Sequence, residues 1–557
     1  MSGRWPWLIA VALLWQIGFA QPGAPAHAGA EFREPPVIRP QGNVLNVSLN
    51  VALGRNVIAG RTLETATYNG MIPGPTLRVR PGDRLAIALI NNLSQPGGPP
   101  PPPQKVVNCG AQAAQPEARG RAGHMDPGVS LLTNIHTHGL QVSPQGNADN
   151  PYITLTPGET CDYSIPIPGA VVPPDPYRPP QPAGLFWYHP HRHMSTSKQS
   201  WAGLAGAIIV EGDLDRIPEV AEAKERVLVL QELWVDDKGH VPAGMPVPVA
   251  GSSGTQPVVG TEVPFTTNPA VPTNIYYTIN GVYQPTIPIQ PGETQRWRIL
   301  NASPHRVYQL NLKPNGPRAM PAEMYQIAQD GITLGEAVKI DQRKNPIVMA
   351  PGNRVEIIVR IAATGTYTLA AMAYEQGHPG GALPAVTLAT VASGGPVITG
   401  RRIPTTLIPA PDVSRDTIQP RAEPIVFSGN VLTAPVQFFI DNQMFAPDMK
   451  PITGDVGTTA EWTLINNDVF QHPFHIHVNP FQVVEINGKK VERPIWWDTF
   501  MLPPKTAVNG TDVPSRIKIR MRFRSDVTGK TVFHCHFLPH EDNGMMSVFE
   551  LVTSGTR

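Results

Sequence analysis

The chain has 557 residues, and its 44 Lys and Arg nearly balance its 43 Asp and Glu. This balance gives no support for a nucleic-acid partner. At about 100 to 200 residues per domain, the length predicts about three domains and excludes a disulfide-bonded mini-protein. The 64 prolines and 50 glycines fall between short apolar runs, and stretches that suit helices are scarce. We therefore expect an all-β protein.

Residues 1–28 have the form of a secretory signal peptide, with Arg4 before an apolar run at 8–14. Cleavage after Ala20 and cleavage after Ala28 both fit. The apolar run is short for a membrane span, and no later stretch reaches the roughly 18 apolar residues that a span needs. An uncleaved membrane anchor is the alternative, because the tryptophans of this region are typical of membrane interfaces. We expect an exported protein, periplasmic or secreted, with no transmembrane span in the mature chain.

Two of the three cysteines, Cys109 and Cys161, can pair in an oxidising compartment. Spacing alone does not fix a disulfide, so two unpaired thiols remain the alternative. The third cysteine, Cys535, lies among histidines and is discussed below.

A weak pattern recurs three times along the chain, beginning at Asn69, Asn280 and Asp441. Each copy has a tight turn, an alternating apolar segment, a second turn and another alternating segment that ends in asparagine. The repeat predicts three related β domains, with a surface loop inserted into the first one between 95 and 128. The predicted bounds of the domains are 36–213, 222–393 and 422–557.

Histidines are concentrated in H-x-H pairs. Sixteen histidines placed at random would give about half of one such pair, and the chain has five. Residues i and i+2 of a strand point to the same face, so each pair aims two imidazoles at one point. A single pair is equally well explained by surface histidines, but several pairs in two regions favour a metal cluster. The pairs are His136/His138, His189/His191, His191/His193, His475/His477 and His534/His536.

The last pair encloses a cysteine. His534-Cys535-His536 is followed by His540 and Met545, and His472 lies upstream. Two imidazoles, one thiolate and a weak thioether form the ligand set of a blue-copper site. Zinc sites more often recruit further cysteines, and iron–sulfur clusters need several thiolates. An ordinary buried thiol is the alternative for Cys535. On a strand, Cys535 would face one side and its two neighbours the other.

Four blocks of sequence resemble the copper motifs of the three-domain multicopper oxidases, the laccase-like family in its bacterial form. They are N-I-H-T-H-G-L, F-W-Y-H-P-H, H-P-F-H-I-H and H-C-H-F-L-P-H-E-D-N-G-M-M. The resemblance implies three cupredoxin-like Greek-key β-sandwich or barrel domains. It also implies four coppers per chain, with a type 1 copper in the third domain and a trinuclear cluster between the first and the third.

By motif position, the resemblance assigns His472, Cys535, His540 and axial Met545 to type 1 copper. The type 2 copper takes His136 and His475. One type 3 copper takes His138, His189 and His536, and its partner takes His191, His477 and His534. The chain departs from the family at Thr137, where tryptophan is common, and at Val478, where glycine is common. His193 is an additional imidazole on the same face as His191, expected beside the ligands or facing solvent, with a direct metal role as the alternative.

Reduction of dioxygen to water consumes protons, so acids are expected near the cluster. Asp149 and Glu541 fall where the family places proton-relay acids, with surface acids as the alternative. Asp468 either meets substrate near the type 1 site or forms an ordinary turn. For Asp498 a structural hydrogen bond is preferred over a substrate-side role.

Together these features predict a laccase-like oxidase that couples one-electron oxidation of phenols or aromatic amines to reduction of dioxygen to water. One alternative is a cuprous oxidase serving copper tolerance, although the fifteen methionines are dispersed and form no methionine-rich insertion. A second alternative is a non-catalytic copper-binding envelope protein. The expected partners are a small-molecule reductant and dioxygen, and the sequence leaves the oligomeric state open.

Overall fold

A computed structural model describes residues 30–113, 129–236, 239–240, 245–248, 255–258, 273–316, 320–377, 382–408, 411–413, 416–430 and 436–553. The predicted signal peptide and part of the predicted surface loop lie outside these residues. The helices in the described ranges are at most six residues long, so the expectation of an all-β protein is confirmed. None of them could cross a membrane. They are α1 (Cys109–Gln112), α2 (Thr196–Trp201), α3 (Pro218–Ala221) and α4 (Leu538–Asp542), with 3-10 turns at Val129–Leu131 and Asp213–Arg216.

Domain 1 is a sandwich of two five-stranded sheets. Its strands are β1 (Val37–Ile38), β2 (Val44–Ile58), β3 (Arg61–Tyr68), β4 (Thr76–Val79), β5 (Arg84–Asn92), β6 (Lys105–Val106), β7 (His136–His138), β8 (Glu159–Pro166), β9 (Gly184–His189) and β10 (Gly206–Val210). One sheet has the order β1-β4-β10-β9-β7 and the other β3-β2-β5-β8-β6. The disulfide between Cys109 and Cys161 ties α1 to β8.

Domain 2 packs a seven-stranded sheet, β15-β14-β11-β17-β22-β19-β20, on a five-stranded sheet, β16-β24-β23-β18-β21. Its strands are β11 (Lys224–Asp236), β12 (Met245–Pro248), β13 (Thr255–Val258), β14 (Thr273–Ile279), β15 (Val282–Tyr283), β16 (Thr286–Ile289), β17 (Thr294–Asn301), β18 (Tyr308–Pro314), β19 (Glu323–Gln329), β20 (Ile332–Lys339), β21 (Ile347–Met349), β22 (Arg354–Arg360), β23 (Gly365–Ala371) and β24 (Val386–Ser393).

Domain 3 has the same two-sheet plan, with an eight-stranded sheet centred on β29 and β37 and a five-stranded sheet, β28-β39-β38-β30-β34. Its strands are β25 (Ile418–Pro420), β26 (Ile425–Asn430), β27 (Gln437–Ile440), β28 (Ile452–Asp455), β29 (Thr459–Asn466), β30 (His472–Ile476), β31 (Phe481–Ile486), β32 (Lys489–Lys490), β33 (Trp496–Trp497), β34 (Thr499–Leu502), β35 (Thr506–Val508), β36 (Thr511–Val513), β37 (Ser515–Arg522), β38 (Gly529–Cys535) and β39 (Met546–Val552).

The repeated turn has the same conformation in all three domains. Asn69, Asn280 and Asp441 have φ values of 54°, 54° and 52°, and the residue after each also has positive φ. Positive φ at both central positions matches the twist of a tight hairpin, and Asn, Asp and Gly tolerate it best. In each copy the side-chain oxygen accepts a backbone N–H, at 2.7 to 2.8 Å, from the strand that pairs with the strand before the turn. The sequence repeat therefore corresponds to the same hydrogen-bonded turn in each domain.

The alternation of the strands buries one face in each core. On β5, Leu85, Ile87 and Leu89 are buried between residues that are exposed or half-buried. β17 differs, because all of its residues are buried. Trp297 and Ile299 face the core of domain 2, while Arg296 and Arg298 form ion pairs with acids that include Asp215 and Glu356. The face of β17 that carries Leu300 packs on domain 1, where it contacts a cluster that includes Leu185 and Trp187.

Candidate metal centre

Strand pairing brings the histidine motifs together within each domain. In domain 1, β7 and β9 are antiparallel, with His136 opposite His189. In domain 3, β30 and β38 are antiparallel, with His475 opposite His534 and Phe474 opposite Cys535. Because neighbouring residues point to opposite faces, His534 and Cys535 contribute to two different groups of side chains.

Eight histidines from domains 1 and 3 form one cluster, and each is at most 2% exposed. His191 Nε2 lies 3.1 Å from both His534 Nε2 and His477 Nε2. His138 Nδ1 lies 3.2 Å from His536 Nε2. Each of these contacts joins two histidines that the sequence resemblance assigns to the same type 3 copper. The eight are His136, His138, His189, His191, His475, His477, His534 and His536.

The cluster fits a group of metal ions. Burial first, and neighbouring imidazoles second, lower the pKa of His138, His475 and His477 well below 6.5, so these rings are neutral and offer lone pairs. Within the described residues, no hydrogen-bond partner is found for the buried Nε2 atoms of His136, His189 and His475. Converging ring nitrogens without hydrogen-bond partners are costly unless a cation binds them.

In four cluster histidines, the ring nitrogen Nδ1 lies within hydrogen-bond distance of an oxygen atom. Such contacts select the tautomer and orient the ring toward a metal. The Nδ1 atoms of His136, His189, His475 and His534 lie 2.8 to 3.0 Å from Asp149 Oδ2, Pro190 O, Asp498 O and Cys535 O, respectively.

A second group consists of His472, Cys535 and His540. Cys535 directly follows His534 of the cluster on β38. All three side chains are fully buried. The two Nδ1 atoms are 3.1 Å apart, and Cys535 Sγ lies 3.6 Å from each of them. Met545 is also buried, and its carbonyl accepts the backbone N–H of Cys535 at 3.0 Å. Two imidazoles and one thiol in a triangle match the donor set of a blue-copper site.

Both predicted proton-relay acids lie at the cluster. Glu541 is fully buried, so the surface-acid alternative is wrong for this residue. Its carboxyl group accepts a hydrogen bond from Thr196 Oγ1 at 3.3 Å and lies 3.3 Å from His534 Nδ1. Burial, and then the neighbouring Asp542, raise the pKa of Glu541 well above 4.5. Asp149 is 2% exposed, so the surface alternative fails there too.

Asp468 lies beside the second group, with Oδ2 3.4 Å from His472 Nε2. Asp468 is 6% exposed, while the adjacent Val469 is 51% exposed. The backbone N–H of Asp468 also donates to Asn466 Oδ1 at 2.9 Å, so the predicted turn is present as well. Asp468 is therefore placed between the surface and a predicted ligand.

Asp498 forms hydrogen bonds, as expected, and its partners include a histidine of the cluster. Its Oδ1 lies 3.1 Å from His138 Nε2 and accepts from Arg354 Nη1 at 2.8 Å. The substrate-side alternative for Asp498 is therefore wrong. Sequence reasoning missed Arg354 because a single arginine in a P-G-N-R turn carries no spacing signal.

Val478 departs from the family pattern, and His193 is an additional imidazole. Val478 has φ +72°, a conformation that glycine takes without strain and a β-branched residue rarely adopts. His193 packs its ring 4.9 Å from Phe445 and is in none of the candidate ligand groups among the described residues.

Comparisons with known proteins agree with this geometry. Residues 418–554 match one family model described as multicopper oxidase, and residues 51–97 and 129–215 match a second with the same description. A multicopper oxidase of Staphylococcus aureus is 25% identical over 497 residues, which cover 87% of this chain and 84% of that protein. A laccase of Bacillus subtilis is 25% identical over 504 residues, which cover 87% and 89%.

Among solved structures, a multicopper oxidase of Campylobacter jejuni, described as a metallo-oxidase, superposes with a TM-score of 0.68 and 21% identity. The match covers 94% of this chain and 95% of that one. The three cupredoxin-like domains are thus confirmed. The chain belongs to the multicopper oxidase family and is a copper-binding oxidoreductase that uses dioxygen.

Proposed function

We propose that the protein is a laccase-like oxidase that takes single electrons from phenols or aromatic amines and reduces dioxygen to water. The observation that supports this proposal best is the direct succession of His534, Cys535 and His536 where β38 ends. Cys535 belongs to the group with His472 and His540, and its two neighbours belong to the eight-histidine cluster. The peptide backbone therefore links an electron-accepting site directly to a site suited to dioxygen.

The proposed cofactor is four coppers per chain. His472, Cys535, His540 and Met545 would hold the type 1 copper, and the eight clustered histidines would hold the type 2 copper and the type 3 pair. Copper at these positions supplies one-electron chemistry toward the reductant and multi-electron chemistry toward dioxygen. The complete burial of the second group excludes water from it, which suits electron transfer because little solvent must reorganise.

Glu541 and Asp149 are the proposed proton-handling residues. The raised pKa of Glu541 keeps a proton on its carboxyl group at pH values where an ordinary glutamate has lost it. Its oxygens lie beside His534 and His191, at 3.3 and 3.7 Å, so the proton is held at the edge of the cluster. Asp149 accepts from Thr137 N at 2.8 Å while it faces His136 Nδ1, and this fixes the His136 ring.

The reductant is proposed to approach His472 on the side of Asp468. That carboxylate lies next to the ring nitrogen and near exposed Val469, so it can accept a hydrogen bond from a phenolic hydroxyl or an aromatic amine. A cuprous oxidase remains the alternative reading. Export to the periplasm or the exterior is part of the proposal and rests on the predicted signal peptide.

The test is dioxygen consumption by the copper-loaded protein with phenols, aromatic amines, Fe(II) and Cu(I), each with and without excess Cu(II). We expect turnover of phenols or aromatic amines without added copper and little activation by Cu(II). Negligible phenol turnover together with fast Cu(I) oxidation would favour the cuprous oxidase. Absence of dioxygen uptake with every reductant would contradict the proposal. Cys535→Ser is the matched control, because it should remove uptake that depends on the type 1 copper.

A further inference from the structure

We propose that domain 2, which supplies none of the twelve predicted ligands, takes part in assembling the trinuclear site through Arg354. Arg354 is a positioning residue that acts through Asp498 on the ring of His138. The inference rests on the proposed function, because it takes His138 and His475 as copper ligands.

Arg354 holds Asp498 with both ends of its guanidinium group. Nη1 donates to Asp498 Oδ1 at 2.8 Å, and Nη2 donates to Asp498 Oδ2. The arginine is fully buried, and Asp498 is 4% exposed. A two-pronged contact between guanidinium and carboxylate fixes the plane of the carboxylate, which a lysine cannot do.

Asp498 in turn holds two cluster histidines. Oδ1 accepts from His138 Nε2 at 3.1 Å, and the backbone carbonyl accepts from His475 Nδ1 at 2.8 Å. With its proton on Nε2, His138 directs the lone pair of Nδ1 toward His536, whose Nε2 is 3.2 Å away. The carboxylate of Asp498 therefore selects which nitrogen His138 presents to a metal.

The arrangement joins all three domains around this contact. Arg354 begins β22 in domain 2, its Nε donates to Leu185 O in domain 1 at 3.2 Å, and Asp498 belongs to domain 3. On the other side, Asp330 accepts the backbone N–H of Arg354 at 3.0 Å and that of Asp498 at 3.2 Å. The segment that carries Asp498 is therefore fixed from two directions by domain 2.

The surrounding space is closed to larger groups. A Cβ atom added at Gly139, directly after His138, would lie 2.5 Å from Arg354 Nη2 and 2.6 Å from Asp498 Oδ2. Tight packing leaves Asp498 few other positions. Loss of the guanidinium group would remove both contacts that fix the plane of the Asp498 carboxylate, and this would alter its hydrogen bond to His138.

The experiment compares Arg354→Gln with Arg298→Gln in the full-length protein. Arg298 is an equally buried arginine on the adjacent strand, paired with Glu225 and Glu356 instead of Asp498. The readouts are copper affinity by chelator competition, the type 2 copper EPR spectrum, the blue absorbance and thermal unfolding. For Arg354→Gln we expect trinuclear copper affinity to fall about 10- to 100-fold and the type 2 spectrum to change, with the blue absorbance kept. Arg298→Gln should lose stability while keeping the wild-type affinity and spectrum.

Two further variants test the route through Asp498. If Arg354 acts through this residue, Asp498→Asn and the double variant Arg354→Gln/Asp498→Asn should have the same copper affinity. Should Arg354→Gln fail to fold, Arg354→Lys takes its place. Lysine keeps the positive charge but lacks the two donors that contact both carboxylate oxygens, so we expect the same spectral change. Wild-type affinity and spectrum in the folded Arg354 variant would overturn the inference. Failure of the wild-type protein to bind copper at the cluster would instead overturn the proposed function.

Discussion

The Nε2 atoms of His191 and His534 lie 3.1 Å apart, although the two residues are 343 positions apart in the chain. One belongs to domain 1 and the other to domain 3, so the histidine cluster is built across their interface. The same interface is supported by Gln145 Nε2, which donates to Thr528 O at 2.7 Å. A metal ion held by both sides would therefore tie the two domains together.

Copper should stabilise the folded protein. A ligand that binds the native state and not the unfolded chain adds about 4 kcal/mol at a free concentration 1,000 times its Kd. We expect the copper-loaded protein to unfold at a clearly higher temperature than the copper-free protein in scanning calorimetry. Equal transition temperatures would contradict the location of the cluster between domains.

Cys535→Ser should separate the two metal groups. Cys535 faces His472 and His540, whereas His534 and His536 face the cluster, so the substitution alters only one group directly. We expect loss of the blue colour and of substrate oxidation, with the trinuclear coppers largely retained. Absorbance and copper analysis measure both effects. Blue colour in this variant would mean that a different thiol binds the copper.

Glu541→Gln should affect the dioxygen half-reaction more than the reduction of type 1 copper. The raised pKa of Glu541 means that its proton is present well above pH 4.5 and is lost as the pH rises through the raised value. Reoxidation by dioxygen should therefore slow with rising pH in the wild-type protein, and it should be slow and less dependent on pH in the variant. Stopped-flow measurements of the two half-reactions provide the test. Equal slowing of both would indicate that Glu541 only supports the fold.

The disulfide between Cys109 and Cys161 should stabilise domain 1. It closes a loop with a sequence separation of 52, which corresponds to about 4 kcal/mol of lost chain entropy in the unfolded state. The double variant Cys109→Ala/Cys161→Ala should lower the free energy of unfolding by about 2 to 5 kcal/mol, as measured by denaturant titration. Unchanged stability would show that the bridge constrains little.

The sequence allowed prediction of those features that local geometry determines. The turns at Asn69, Asn280 and Asp441 depend on residue type at positive φ, and the H-x-H pairs depend on strand periodicity. Whether Glu541 was buried could not be predicted, because its neighbour Thr196 lies 345 residues away. The contact between Arg354 and Asp498 was equally inaccessible, since only the packing of domain 2 on domain 3 creates it.

The central claim is that one chain holds a type 1 copper and a trinuclear cluster. The most direct measurement is copper per chain, together with the blue absorbance and the EPR spectrum, in the purified and fully loaded protein. The account predicts an intensely blue protein with about four coppers, because thiolate bonding at a His₂Cys site gives strong colour. A colourless protein with one copper or fewer after loading would contradict it.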